Sequence, residues 1–188
     1  MIKFHIYVLA LILSNSCGAS DDGYRIETYV EGISLPWGMV WLPGGDMLVS
    51  DRPGSIYRVS NGSRGNAIEG VPDVHVNGQG GLLDLELHPQ YPENGWIYIT
   101  YAEPEGLVFK NSNTTLIRAR LDGDRLVDHE ILYQAEPRTG RGQHYGGRIE
   151  FDKDGYLYFS IGDRGNRDTN PQDIQRDSGK IYRLHDDG

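Results

Sequence analysis

Gly147-Arg148-Ile149-Glu150-Phe151 runs through Asp152-Lys153-Asp154-Gly155 into Tyr156-Leu157-Tyr158-Phe159-Ser160. An apolar run, a Gly-containing turn, a second apolar run and a closing hydroxyl residue read as a β-hairpin. The pattern occurs twice more. Trp37-Gly38-Met39-Val40-Trp41-Leu42 passes through Pro43-Gly44-Gly45 to Asp46-Met47-Leu48-Val49-Ser50, and Gly81–Leu87 passes through His88–Gly95 to Trp96-Ile97-Tyr98-Ile99-Thr100.

Working outward, each hairpin is followed by a third strand. Gly54-Ser55-Ile56-Tyr57-Arg58-Val59 and Gly179-Lys180-Ile181-Tyr182-Arg183-Leu184 match closely, and Thr115–Leu121 holds the same place in the middle unit. Ala67–Val74 and Leu126–Tyr133 are the expected fourth strands. Repeated four-stranded antiparallel units of roughly 45 to 65 residues are blades of an all-β propeller. Residues 24–188 hold about three of them. Propellers close with about four to eight blades, so the expectation is the N-terminal part of a ring, truncated at the C-terminus and a poor folder alone because its strand edges are bare.

Composition agrees and excludes some classes. Among 188 residues there are 25 Gly and 12 Tyr against 4 Phe, which suits short strands and tight turns. A net charge of −9 speaks against nucleic acid, whose phosphates require clustered Lys and Arg. Residues 1–19 read as a signal peptide: Lys3, an apolar run Ile6–Leu13 too short to span a bilayer, then Ser14-Asn15-Ser16-Cys17-Gly18-Ala19. Cleavage after Ala19 or lipidation at Cys17 both fit, so the expected location is periplasmic or secreted, with membrane attachment only through a lipid on Cys17. Cys17 is the single cysteine, and the folded part therefore relies on packing without disulfides.

In a propeller the first strand of each blade lines the axis, so residues entering those strands meet at one mouth. Aligned on Leu42, Leu87 and Phe151, residues Leu35, Gln79 and His144 occupy equivalent entries. Gln79 and His144 thus come from neighbouring blades to one mouth. The turn centred on Lys153-Asp154 sets His144 opposite Asp163 to within one step. A carboxylate facing an imidazole fixes its tautomer and stabilises its charged form, which suits a general base acting on a hydroxyl. A His–Asp pair that merely ties off two strands is the competing structural explanation. Gly78-Gln79-Gly80-Gly81 and Gly146-Gly147 allow close backbone approach there.

Other candidates carry less. Asp163-Arg164-Gly165-Asn166-Arg167-Asp168 with Asp173 is expected to be a solvated charged loop, since it lacks calcium-loop spacing. His75, His88, His129 and His185 have no zinc-like spacing. Trp37, Trp41 and Trp96 read as blade packing, with Trp37 placed to reach the mouth. No nucleophile elbow, Walker loop or dinucleotide fingerprint is present.

Five segments in order, Leu35-Pro36-Trp37-Gly38, Gly78–Leu83, His144–Arg148, Ile161–Gly165 and Gly179–Leu184, resemble the soluble aldose and glucose dehydrogenases that use pyrroloquinoline quinone (PQQ), the glucose/sorbosone dehydrogenase family. The resemblance implies a six-bladed propeller with PQQ and calcium in the axial mouth, a sugar substrate, lactone as product and an external electron acceptor. It implies that His144 is the base, that Asp163 orients it, and that Gln79 contacts cofactor and substrate. Gln143 stands at a sugar-contacting position where the soluble glucose dehydrogenases carry Asp, so glucose preference does not carry over. The family's PQQ-holding arginines and its calcium ligands fall in later blades, beyond residue 188, which leaves these residues alone expected to be inactive. Two alternatives stand beside this one: a non-catalytic extracellular propeller that binds glycan or protein, and a calcium-dependent lactonase.

Overall fold

The computed structural model describes residues 25–105 and 111–188. The expected signal peptide, with Cys17, lies outside the described residues. Three antiparallel sheets follow one another in chain order. The first comprises β1 (Pro36–Trp41), β2 (Met47–Asp51), β3 (Ser55–Ser60) and β4 (Ser63–Ala67). In the second are β5 (Leu82–Leu87), β6 (Trp96–Pro104), β7 (Ser112–Asp122) and β8 (Arg125–Gln134). The third contains β9 (Gly146–Phe151), β10 (Leu157–Ile161) and β11 (Lys180–Leu184). Their first strands stand side by side, with β5 touching both β1 and β9. These are blades of a propeller in the expected order.

Alternation of side chains decides how the blades stack. Val40, Leu48 and Ile56 of the first blade meet Leu82, Leu85, Ile97 and Ile99 of the second. The opposite face of the second blade offers Trp96, Tyr98 and Leu116 to Ile149, Leu157 and Phe159 of the third. Each fully buried aliphatic or aromatic chain contributes roughly 1.5–3 kcal/mol relative to exposure. On β1 the residues that alternate with this core, Trp37, Met39 and Trp41, are exposed, as is Ile181 on β11.

The hydroxyl that closes each hairpin has a second use. Ser50 Oγ accepts the Gly38 N–H at 2.8 Å and donates to Leu83 O at 2.6 Å. Thr100 Oγ1 accepts the Asp84 N–H at 3.1 Å and donates to Gly147 O at 2.7 Å. A buried hydroxyl thus bonds its own inner strand and the next blade's inner strand, leaving neither partner unsatisfied. Ser160 Oγ likewise accepts the Arg148 N–H, at 3.2 Å.

One boundary differs from expectation. The fourth strand of the first blade is Ser63–Ala67, not Ala67–Val74. Its residues are all exposed, so hydrophobic patterning had nothing to mark. The apolar residues Ile68, Val71 and Val74 instead pack against the core between the first two blades as a connecting segment.

Candidate functional site

The site is built where β9 begins and β10 ends. Phe151 pairs with Leu157, Glu150 with Tyr158 and Ile149 with Phe159, and then the register slips so that Gly146 pairs with Ile161. That bulge brings the two residues beyond the ladder, His144 and Asp163, face to face. His144 Nδ1 lies 2.7 Å from Asp163 Oδ1, as the turn position predicts. A second bond reaches Asp163 Oδ1 from the Gly165 N–H, at 2.7 Å.

These bonds fix the proton inventory. The hydrogen bond from His144, foremost, and that from Gly165 hold the Asp163 carboxyl below its ordinary value. An ionised carboxylate can only accept, so Nδ1 carries the proton, and in the neutral ring the lone pair lies on Nε2. Nε2 has no hydrogen-bond partner among the described residues, and the His144 side chain is 51% exposed. A basic nitrogen is therefore presented outward with its far side held.

The backbone beneath is constrained. His144 has φ of +53°, a region costly for a side chain with a Cβ and common at functional sites. Gln79 crosses from the neighbouring blade to hold it: its Oε1 accepts the His144 N–H at 2.8 Å, and its own N–H donates to Gly142 O at 2.6 Å. Gly78 makes that crossing possible, since it has φ of +58° and a Cβ would overlap the Gly142 carbonyl. Gly162 serves similarly under the base, where a Cβ would overlap the His144 carbonyl. Asn77 Nδ2 adds a bond to Gly140 O at 3.3 Å.

Gln143 packs its amide over Gly165 and lines a cavity of about 230 Å³ with His144, Asp163 and Arg167. Trp37 borders a hollow of about 320 Å³ with Asp84, Gly146, Arg148 and Ser160, beside the start of β9. A cavity of about 620 Å³ runs along Val71–Val76 and contains none of these residues.

Three residues have settings not anticipated from sequence. Asp84, buried between the blades, accepts the Ile149 N–H at 2.9 Å and sits 3.3 Å from Arg148. One strand pair further along, burial first and the Glu150 charge second push the Glu86 carboxyl up to about 7. Arg164 corrects the expectation of a solvated loop: its side chain is fully buried. Nothing in a charged, Gly-containing stretch marks one arginine as internal, and only the tertiary packing of Tyr145 shows it. Among the described residues no group of three or more His, Cys, Asp or Glu is placed to hold a metal ion.

Residues 33–188 match the Glucose / Sorbosone dehydrogenase family. The chain belongs to that family. An aldose sugar dehydrogenase of Escherichia coli is 32% identical over 195 residues, covering 100% of this chain and 51% of the relative. The apo-form crystal structure of a soluble aldose sugar dehydrogenase from Escherichia coli superposes with a TM-score of 0.79 at 31% identity, over 85% of this chain and 46% of that one. The PQQ-bound form of an aldose sugar dehydrogenase from Streptomyces coelicolor gives 0.74 at 31% identity, over 87% and 48%. This glucose/sorbosone dehydrogenase chain thus spans about half the length of the relatives it matches.

Proposed function

We propose that the complete protein carrying this chain oxidises the anomeric hydroxyl of aldose sugars to lactones with PQQ, and that residues 24–188 supply three blades of a six-bladed ring. The observation that carries this is the Asp163–His144–Gln79 arrangement, in which an imidazole is held on its Nδ1 side and open at Nε2. In this reading Nε2 takes the proton from the sugar's C1 hydroxyl while Asp163 stabilises the imidazolium that forms. Loss of that proton lets the C1–O bond become the lactone carbonyl as C1 gives up its hydrogen with two electrons. PQQ, when bound, would supply the acceptor for that hydride, with an external acceptor taking the electrons onward.

The residues present fit such a group. Gln79 uses Oε1 on the His144 backbone, so its amide N–H groups remain to donate to a sugar or quinone oxygen, and Gln143 borders the same cavity as the base. Calcium, on this reading, is held by residues beyond 188. The exposed Trp37, Met39, Trp41 and Ile181 are the surfaces on which further blades would pack. Export to the periplasm or beyond, by cleavage after Ala19 or by lipidation at Cys17, belongs to the same proposal. So does the absence of nucleic-acid partners.

Reconstitution of the complete protein with PQQ and calcium, followed by dye reduction with a panel of aldoses, tests the assignment. Turnover is expected, and His144→Ala should lower kcat about 10³-fold. No quinone uptake would favour a glycan- or protein-binding propeller, and full turnover in His144→Ala would remove the base.

A further inference from the structure

Beneath the base lies a cation that the chemistry just described does not use. Arg164 follows Asp163 directly, is 0% exposed and has φ of +54°, so that two left-handed residues, His144 and Arg164, face each other across the strand ends. The Arg164 N–H donates to His144 O at 3.3 Å. Its guanidinium turns inward under the loop Gly140–Tyr145. Nη1 donates to Gln143 O at 2.5 Å, and Nη2 donates to Arg141 O and, at 3.4 Å, to Ser112 O. The guanidinium carbon lies 3.4 Å from the centre of the Tyr145 ring. Tyr145 is itself fixed, through its hydroxyl to Ser112 Oγ at 2.7 Å and through its carbonyl to Thr114 Oγ1 at 2.6 Å.

This is an unusual way to bury a charge. Ion pairing is the common means of burying arginine, yet here the hydrogen-bond acceptors are backbone carbonyls and the neighbour is an aromatic face, which attracts cations. Nε is buried without a partner. The carbonyls it gathers belong to the residue just before the base and to one three positions before it. Lysine, with a point charge, cannot span them and also lie flat on the ring.

We infer that Arg164 is the positioning residue for His144: its guanidinium clamps the Arg141 and Gln143 carbonyls against Tyr145 and so holds the base in its left-handed backbone conformation, aimed at substrate. The inference rests on His144 being the base. Gln79 holds the donor side of the same peptide unit and Arg164 the acceptor side, so both are needed to keep a strained backbone from relaxing.

The test uses the complete protein with Arg164→Met, which keeps bulk, and Arg164→Lys, which keeps charge. In the apo protein, ¹⁵N NMR of the His144 ring reads the tautomer independently of catalysis. Wild type should show a single Nδ1–H form, and both variants a mixture. With cofactor bound, kcat should fall about 10- to 100-fold while KM changes less than about threefold, and Lys should recover part of the loss. If Arg164→Met fails to fold, Arg164→Lys decides alone. A wild-type ring spectrum with kcat within about twofold in the folded variants overturns the inference. Failure of the base itself looks different: His144→Ala would then retain turnover, whatever the ring spectra of the Arg164 variants show.

Discussion

At the entry to the first blade and at the entry to the third, a carboxylate from the far end of the hairpin meets the chain running into the inner strand, and the two meetings have opposite character. Asp51, 5% exposed, accepts the Leu35 N–H at 2.8 Å and the Ser34 hydroxyl at 2.9 Å. It satisfies local donors and is sealed away. Asp163 occupies the comparable place in the third blade but accepts from a side chain, His144, whose other nitrogen stays open. The positions are close but not identical, since Asp51 ends β2 opposite Pro36 and Asp163 lies two residues past β10. The larger difference is the entering residue: Ser34 and Leu35 offer donors that end at the carboxylate, whereas His144, turned by its left-handed backbone, passes the carboxylate's influence outward to Nε2.

The contrast can be broken most sharply at the carboxylates themselves. Asp163→Asn in the complete protein should lower kcat about 100-fold with little change in unfolding temperature, because the amide can hydrogen-bond the ring but no longer stabilises its cation. Asp51→Ala should do the reverse. It removes the shared acceptor of the part-buried Ser34 and Leu35 donors and should cost about 1–2 kcal/mol in stability, with kcat per folded molecule unchanged. Denaturation curves and turnover normalised to bound cofactor check both. A catalytic defect in Asp51→Ala, or a stability defect alone in Asp163→Asn, would erase the distinction.

A smaller effect sharpens it along the axis. Because burial raises Glu86 to about 7 in the fold, from an ordinary 4.5, the folded state binds more protons than the unfolded state between those values. Stability should therefore fall as pH rises through that window. Glu86→Gln removes the slope, giving a gain on the order of 1 kcal/mol at pH 8 and almost none at pH 4.5, read by thermal unfolding at the two pH values. Asp163 has the opposite sign. Its carboxyl is held low, so its contribution is present at neutral pH and is lost only as pH falls below the ordinary carboxylate range.

Much of this architecture was legible in the sequence because half-buried strands repeat their pattern. The three hairpins, the third strands and Leu126–Tyr133 within β8 lie where periodicity puts them. β4 was not legible, since Ser63–Ala67 is solvated on all sides and carries no alternation. The His144–Asp163 pairing could be read because hairpin register is simple arithmetic from the turn, and the one-step bulge falls within its tolerance. Gln79 could be placed by blade alignment, although its bond to the His144 backbone, rather than to the ring, could not. Arg164 and Asp84 were hidden for one reason: a charge looks solvated in sequence unless the fold that encloses it is already known. The closing Ser50 and Thr100 were visible as a repeat, yet their bonds to the next blade belong to tertiary structure.

The central claim is that Asp163 acts through His144, and a double-mutant cycle measures it directly. In complete, cofactor-loaded protein, turnover is compared for wild type, His144→Ala, Asp163→Asn and the double variant. Asp163→Asn should cost about 100-fold in the wild-type background and nothing further once His144 is gone. Independent, multiplying losses would show that the carboxylate works elsewhere and contradict the account.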